Sequence, residues 1–415
     1  MGVTVATTRV ALNTDTGEQN ITTDDLGGLT PKAAMLFLSW AVTDGVAADG
    51  LSLMVGITDG VVSKCHNGWD QHNLATSNTG YSNQDVPIYV VDPATGSVDC
   101  QAAFSAWITN GVTINITDAP TSALLLTVTF FAGTDVSADV DIIKFPGTDT
   151  VDVTAPGFEP DLVFVLGNDH NSWPISSSNM KWGFGVCHND RASGITQRCV
   201  LGFNRDNRAD AQTTVYYSNA YVTGAFIYDA IGLSVSLGTF DANGFTATAS
   251  EETTKVWAYL ALRFGSGPAV ASWVGDHTTP TETGNDAEIG PSFTPQAVIL
   301  HGTMAEAVNT VYTDALGGSL MVSAFDEDDA YATSGCADDG AATTDTQSLS
   351  DDVPVQLPDD DGSAGLTASF VSLDANGWTL NYTAVKPAAK YMWAVAIEGE
   401  AAAEGNPWYY YAQQQ

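Results

Sequence analysis

Short apolar runs broken by turn residues dominate this chain, and sustained helical spacing is nearly absent. Three times a turn ending in proline leads into an apolar run: Gly28-Leu29-Thr30-Pro31, Gly157-Phe158-Glu159-Pro160 and Ser292-Phe293-Thr294-Pro295. Proline fixes φ and lacks a donor, so it suits the start of a strand and not its interior. A second set covers Leu51 to Ile57, Met180 to Cys187 and Ser319 to Phe325, each followed within one to three residues by an acidic turn. A third set closes on Gly133, Gly265 and Gly399. Continuous runs of this kind predict strands buried on both faces or in a sandwich core. Alternating stretches such as Phe245 to Ala249 predict strands with one wet face. Ala305 to Leu316 is the single modest helical candidate.

These landmarks repeat. Asn-Gly followed by an apolar residue and threonine occurs at Asn110-Gly111, Asn243-Gly244 and Asn376-Gly377, at intervals of 133 residues. Asn-Gly is a strong hairpin signal because both residues tolerate positive φ. A long polar loop carrying Cys65, Cys199 or Cys336 is expected after the second apolar strand of each copy. The chain therefore divides into three tandem β-sandwich domains of jelly-roll or lectin-like kind, 1–134, 135–267 and 268–399, with a tail at 400–415. About eight to ten strands in two sheets are expected per domain. Linkers are minimal, which predicts close packing, as a pseudo-threefold arrangement or a short rod.

Charge narrows the partners. Forty-nine acidic residues stand against 13 basic ones, giving −36; 38 of the acids are aspartate and only seven residues are lysine. Such a surface repels phosphate backbones, so nucleic acid is not an expected partner. The balance favours a protein of an extreme halophile, the alternative being an ordinary chain kept soluble by its charge. At 1 M salt the Debye length is about 3 Å, and the self-repulsion is screened. No apolar run is long enough to span a membrane as a helix. Met1 to Ala11 lacks the basic and apolar regions of an export signal, which predicts folding in the cytosol. Five cysteines, Cys65, Cys100, Cys187, Cys199 and Cys336, without a CxxC pair, predict thiols in preference to disulfides or structural zinc.

Candidate chemistry is sparse. Nucleophile-elbow, zincin, P-loop and dinucleotide fingerprints are absent, so no catalytic residue, cofactor or metal ligand is assigned. Asp169-His170 and His188-Asn189-Asp190 end core strands of the second repeat, either converging on one edge as a site or, the favoured reading, lying in solvent. Asp326-Glu327-Asp328-Asp329 and Asp359-Asp360-Asp361-Gly362 carry oxygens suited to calcium, but solvated loops explain them better. Arg191, Arg198, Arg205 and Arg208 place four of the six arginines in what reads as the long loop of the middle repeat. They would meet a neighbouring subunit or neutralise their own domain. Trp408, Tyr409, Tyr410 and Tyr411 either pack on the third domain or anchor the chain to other proteins. Trp69, Tyr81, Trp173, Tyr216 and Tyr217, read as loop aromatics beside Asn and Asp, can stack on sugars or cover core edges.

The opening Gly-Phe-x-Pro and closing Asp-x-Asn-Gly-Phe-Thr together resemble a module of tailed-virus surface proteins. The second repeat carries Gly157, Phe158, Pro160, Asp161 and Val163 at its start, and Phe240, Asp241, Gly244, Phe245, Thr246, Tyr259 and Ala261 at its end. The third keeps Phe293, Pro295, Asp374, Gly377, Trp378, Trp393 and Ala396. The first departs, with Leu29 for the phenylalanine and Trp107-Ile108-Thr109 for the acidic lead-in. The resemblance spans most of the chain and rests on fold-specifying residues. It implies a non-enzymatic virion protein, as capsid decoration, tail fibre or baseplate component. With the acidic composition, the host it implies is a haloarchaeon. Other virion proteins, further copies of the chain and a host-surface glycan are the expected partners. A cellular carbohydrate-binding or surface-layer-associated adhesin is the alternative, and a polysaccharide-cleaving enzyme a more distant one.

The charge yields a direct prediction. Thermal unfolding followed across a salt series should show the melting temperature climbing steeply toward molar salt; a flat response would reject the halophilic reading.

Overall fold

The computed structural model describes residues 2–191, 193–208, 213–227, 230–265, 272–312, 318–337, 344–359 and 364–399. Apart from a 3-10 turn at Asp24–Leu26, all described regular structure is β-strand. Each repeat folds into a sandwich of a larger inner sheet and a four-stranded outer sheet, all antiparallel. In the first repeat the inner sheet runs Thr4–Ala11, Leu125–Ala132, Pro31–Ser39, Leu51–Thr58, Ser63–Asp70 and Thr79–Gln84. Its outer sheet runs Gly17–Thr22, Gly111–Asp118, Ser97–Ile108 and Ile88–Asp92. The other two repeats follow the same order.

The seventh strand of each inner sheet comes from another repeat. Ile175–Ser178 of the second repeat pairs with Thr79–Gln84 of the first. Thr310–Tyr312 of the third pairs with Thr213–Ser218 of the second. Ala48–Asp49 of the first pairs with Thr346–Asp351 of the third. The exchange is cyclic, so the three repeats close into a pseudo-threefold ring in which every accepting edge is covered. Open strand edges are sites of unwanted pairing, and the ring covers one such edge on each inner sheet. It also corrects the helical expectation: residues 305–312 are not helical, and Thr310–Tyr312 is one of the exchanged strands, while 313–316 lie outside the described residues.

Alternation within the inner strands explains their continuous apolar sequence. In Pro31–Ser39, Ala34, Leu36 and Leu38 face the first repeat's own outer sheet. Ala33, Met35 and Phe37 face a core shared with Leu162, Phe164, Leu166, Trp182 and Phe184 of the second repeat and Ile299, Val322 and Trp393 of the third. Both faces are therefore dry, and period-two alternation of polarity is lost. The shared core also holds polar rings. His301 occupies the register position of Phe37 and Leu166. Its Nδ1 donates to the Met321 carbonyl (2.5 Å), and its Nε2 accepts from Trp182 Nε1 (3.1 Å). Burial lowers its pKa to about 3 and that of His66 to about 4, so both stay neutral.

The acidic turns predicted after the second apolar strand have a task at these junctions. Asp59 accepts the Val61 and Val62 amides with Oδ1 (2.8 and 2.7 Å) and the Val140 amide of the second repeat with Oδ2 (3.1 Å). Asp326 repeats the pattern, with the Asp328 and Asp329 amides on Oδ1 (3.1 and 2.8 Å) and Thr7 of the first repeat on Oδ2 (2.8 Å). Each carboxylate thus shapes its own turn and caps the outer edge of the next repeat's first strand.

Two sequence expectations change in detail. The Asn-Gly pairs do not form the two central turn residues: Thr109-Asn110, Ala242-Asn243 and Ala375-Asn376 connect the paired strands, and each glycine begins the returning strand. A Cβ there would lie 1.9 Å from the Ile21 carbonyl at Gly111, 1.9 Å from Val153 at Gly244 and 1.8 Å from Glu288 at Gly377. The repeat keeps glycine because a neighbouring backbone occupies the side-chain space. The cysteines lie in strands and not in polar loops. Cys65 and Cys199 share a register, opposite Gly56 and Gly185, whereas Ala332 takes that place in the third repeat and Cys336 lies four residues on. All five are buried and form no disulfide.

Replacing Gly111, Gly244 or Gly377 with alanine should each cost about 1–3 kcal/mol or more through overpacking. Denaturant unfolding of the three variants measures this, and near-neutral values would show that the neighbouring strand yields.

Candidate binding cleft between the first two repeats

Where the second repeat's exchanged strand lies on the first repeat, a cleft of about 580 Å³ opens between that strand and the outer sheet. Its floor follows from strand alternation. In Ser63–Asp70, Cys65 and Trp69 point toward the outer sheet, and His66 and Asp70 toward the ring centre. In Thr79–Gln84, Gly80 and Ser82 share the side of Trp69. The Trp69 ring lies against two glycines: a Cβ at Gly80 would be 2.8 Å from it and one at Gly96 2.9 Å. Tyr89 supplies a second ring. Burial raises its phenol above the ordinary value, with hydrogen bonds to Ser176 and Ser82 acting the other way. Ser82 and Ser176 hydroxyls meet at 2.7 Å.

The opposite wall belongs to the second repeat. Asn204, Arg205, Asp206, Asn207 and Arg208 wrap around Ser77 of the first repeat. Ser77 donates to the Arg205 carbonyl (2.6 Å), and its backbone bonds Asn207 and Arg208 (2.8 Å each). This places the Asp206 carboxylate at the cleft, where Oδ1 accepts the Thr79 amide (3.2 Å). Among the described lining residues there is no lysine or arginine; Arg205 and Arg208 stand in the same wall segment behind Asp206. Aromatic faces, hydroxyls and one carboxylate, in a volume typical of ligand sites, suit an uncharged polyhydroxylated ligand.

The other two junctions carry different side chains at the corresponding positions. At the register positions of Gly80 and Ser82 the second repeat has Thr214 and Tyr216, and the third has Gln347 and Leu349. Phe203, in the place of Trp69, packs at 6.1 Å against Phe226, with Tyr216 in the same cluster. Cys336 holds the Trp69 position in the third repeat.

The remaining candidates disperse. Trp69, Tyr81, Tyr216 and Tyr217 are strand residues, and only Trp173 lies outside a strand. Tyr81 borders the cleft but turns its ring to His66 and His170. Tyr217 is buried on Asp276 and the Met392 carbonyl, and Trp173 donates to the Gln84 carbonyl (3.1 Å). The four arginines do not form one loop patch. Arg191, in a turn, pairs with Asp161 (2.9 Å) of its own repeat. Arg198, mid-strand, makes a two-toothed contact with Asp276 of the third repeat (2.5 and 3.1 Å). Arg205 and Arg208 flank the cleft wall. Asp326 is occupied at the ring junction as described, and Asp359 pairs with Lys386. Asp360, Asp361, Gly362 and Trp408 to Tyr411 lie outside the described residues.

His188 stands opposite Leu162, at the start of the strand that ends in His170. The two histidines therefore sit at opposite ends of the sheet, roughly 25 Å apart at strand rise, and do not converge. Among the described residues no cluster of three or more His, Cys, Asp or Glu could hold a metal. Sequence reasoning missed Tyr89, Ser97, Asp206 and the serines 176–178; the run Ser176-Ser177-Ser178 was the only visible signal.

No protein-family model and no curated protein matches the chain. A search of solved structures returns a fructofuranosidase from Schwanniomyces occidentalis complexed with fructose. It has 9% identity over 94% of this chain and 98% of that one, at a TM-score of 0.14. At that score the likeness carries no argument about fold or activity.

Asp70, buried behind the cleft, accepts from the Asn204 amide across the junction and has no ion-pair partner among the described residues. Burial holds its carboxyl well above the ordinary range, which favours the protonated form in the fold. Its stabilising share is full below the ordinary carboxylate pKa and is lost as pH rises through the raised value. Asp70→Asn should therefore gain stability over the wild type as pH rises from acid to alkaline. Denaturant midpoints across pH test this, and parallel curves would contradict it.

Proposed function

We propose that this chain is a structural protein on the surface of a tailed-virus particle from a halophilic host, in which three fused sandwiches replace three subunits of a trimer. The observation that carries this reading is the cyclic exchange of edge strands. It closes one chain into a pseudo-threefold body suited to a threefold position in a symmetric assembly. The acidic composition and the resemblance of the Gly-Phe-x-Pro and Asp-x-Asn-Gly-Phe-Thr segments to tailed-virus modules support it. Other particle proteins and further copies of the chain are its proposed partners, with Trp408 to Tyr411 as the attachment segment. The role proposed is decoration of a capsid or part of a tail fibre or baseplate, without catalysis.

The cleft at Trp69 favours a second reading, a cell-surface adhesin. Antibody labelling in electron micrographs of lysates and intact cells separates the two. Label on particles at threefold-related positions is expected. Label confined to the cell envelope would replace the first reading by the second.

A further inference from the structure

We propose that the cleft of Trp69, Tyr89 and Asp206 binds a neutral saccharide, one per chain. The argument rests on the cleft alone and holds wherever the chain resides. Three features converge. Gly80 lets the Trp69 ring lie against its strand, and the cleft stands beside Ser82, where the sister repeats carry the bulkier Tyr216 and Leu349. Two aromatic rings present apolar faces on which the C–H face of a sugar ring can stack. Hydroxyls of Ser97, Ser176 and Ser178 and the Asp206 carboxylate offer donors and acceptors around them.

The charge selects the ligand class. Asp206 at the rim and −36 overall disfavour an anionic glycan at low salt, with Arg205 and Arg208 beside the carboxylate in the same wall offsetting part of that field. In molar salt, where the fold is expected to be stable, charge attraction is screened to a few ångströms. Recognition by stacking and hydrogen bonds to an uncharged polyol survives that screening. The site is also composite: its rings come from the first repeat, and its serine strand and carboxylate from the second. Closure of the ring therefore builds it.

The test uses full-length protein in molar KCl on an array of neutral hexose, pentose and N-acetylhexosamine oligosaccharides, with hits followed by calorimetry. A bound saccharide is expected whose Kd changes by less than about twofold across the molar salt range. Trp69→Ala should weaken it by at least about tenfold. Ser82→Tyr, which installs the residue found at the second junction, should do the same in protein that a cooperative thermal transition shows to be folded, and this variant decides the matter if Trp69→Ala fails to fold. Tyr216→Ser at the second junction should leave the affinity intact. Absence of any hit for the folded wild type would overturn the proposal, as would wild-type affinity in Ser82→Tyr. Binding of tetramethylammonium that weakens with salt and vanishes in Asp206→Asn, without saccharide binding, would also overturn it in favour of a cation site.

Discussion

Burial of the three inner faces against one another is the constraint on which the rest of the molecule depends. Each sandwich closes a core between its own two sheets, but the opposite face of its inner sheet is equally apolar: Phe37, Phe164, Phe184 and Trp393 meet only because three repeats are present. A single repeat would leave a large apolar patch and an open strand edge, the two features soluble proteins avoid. The exchanged strands, the Asp59 and Asp326 caps and the shared core are three parts of one solution. The few cations reinforce it. Arg9 of the first repeat contacts Asp44, reaches Asp352 (2.9 Å) and the Asp351 carbonyl (2.7 Å) of the third, and lies 4.3 Å over the Tyr331 ring. Arg198 joins the second repeat to the third. Arg9 and Arg198 thus tie repeats together, while Arg191 and Lys386 pair within their own.

Much of the sandwich was legible because it is written locally. Pro31 and Pro295 begin strands, the glycines at 133-residue intervals mark hairpins, and apolar runs became inner strands. The reason for the glycines was not legible, since the space they leave belongs to a carbonyl from a distant strand. The ring was hidden for a similar reason. Its exchanged strands are two to four residues long and polar, as in Ala48–Asp49 or Ile175–Ser178, and carry no periodicity of their own. Thr310–Tyr312 even lay within an apparent helical stretch. The cleft was half visible: an aromatic at position 69 can be noticed, but the small side chain at Ser82 becomes meaningful only in register with Tyr216 and Leu349.

Fusion changes what the pseudo-symmetry can do. In a true trimer every substitution appears three times, so a histidine in the shared core would bring two more. Here His301 stands once, with phenylalanine and leucine at the sister positions, and finds its partner in Trp182. The core can therefore hold a specific polar contact off its axis, and each junction can carry its own side chains.

The exchanged strand of the first repeat has a consequence in time. Ala48–Asp49 emerges early from the ribosome, yet it sits on Thr346–Asp351, and the Ser348 hydroxyl bonds the Gly50 carbonyl across 298 residues of sequence. Nothing can complete that edge until most of the chain has been synthesised. The nascent first two repeats must wait with an apolar face and a strand edge uncovered, the state most exposed to misassembly.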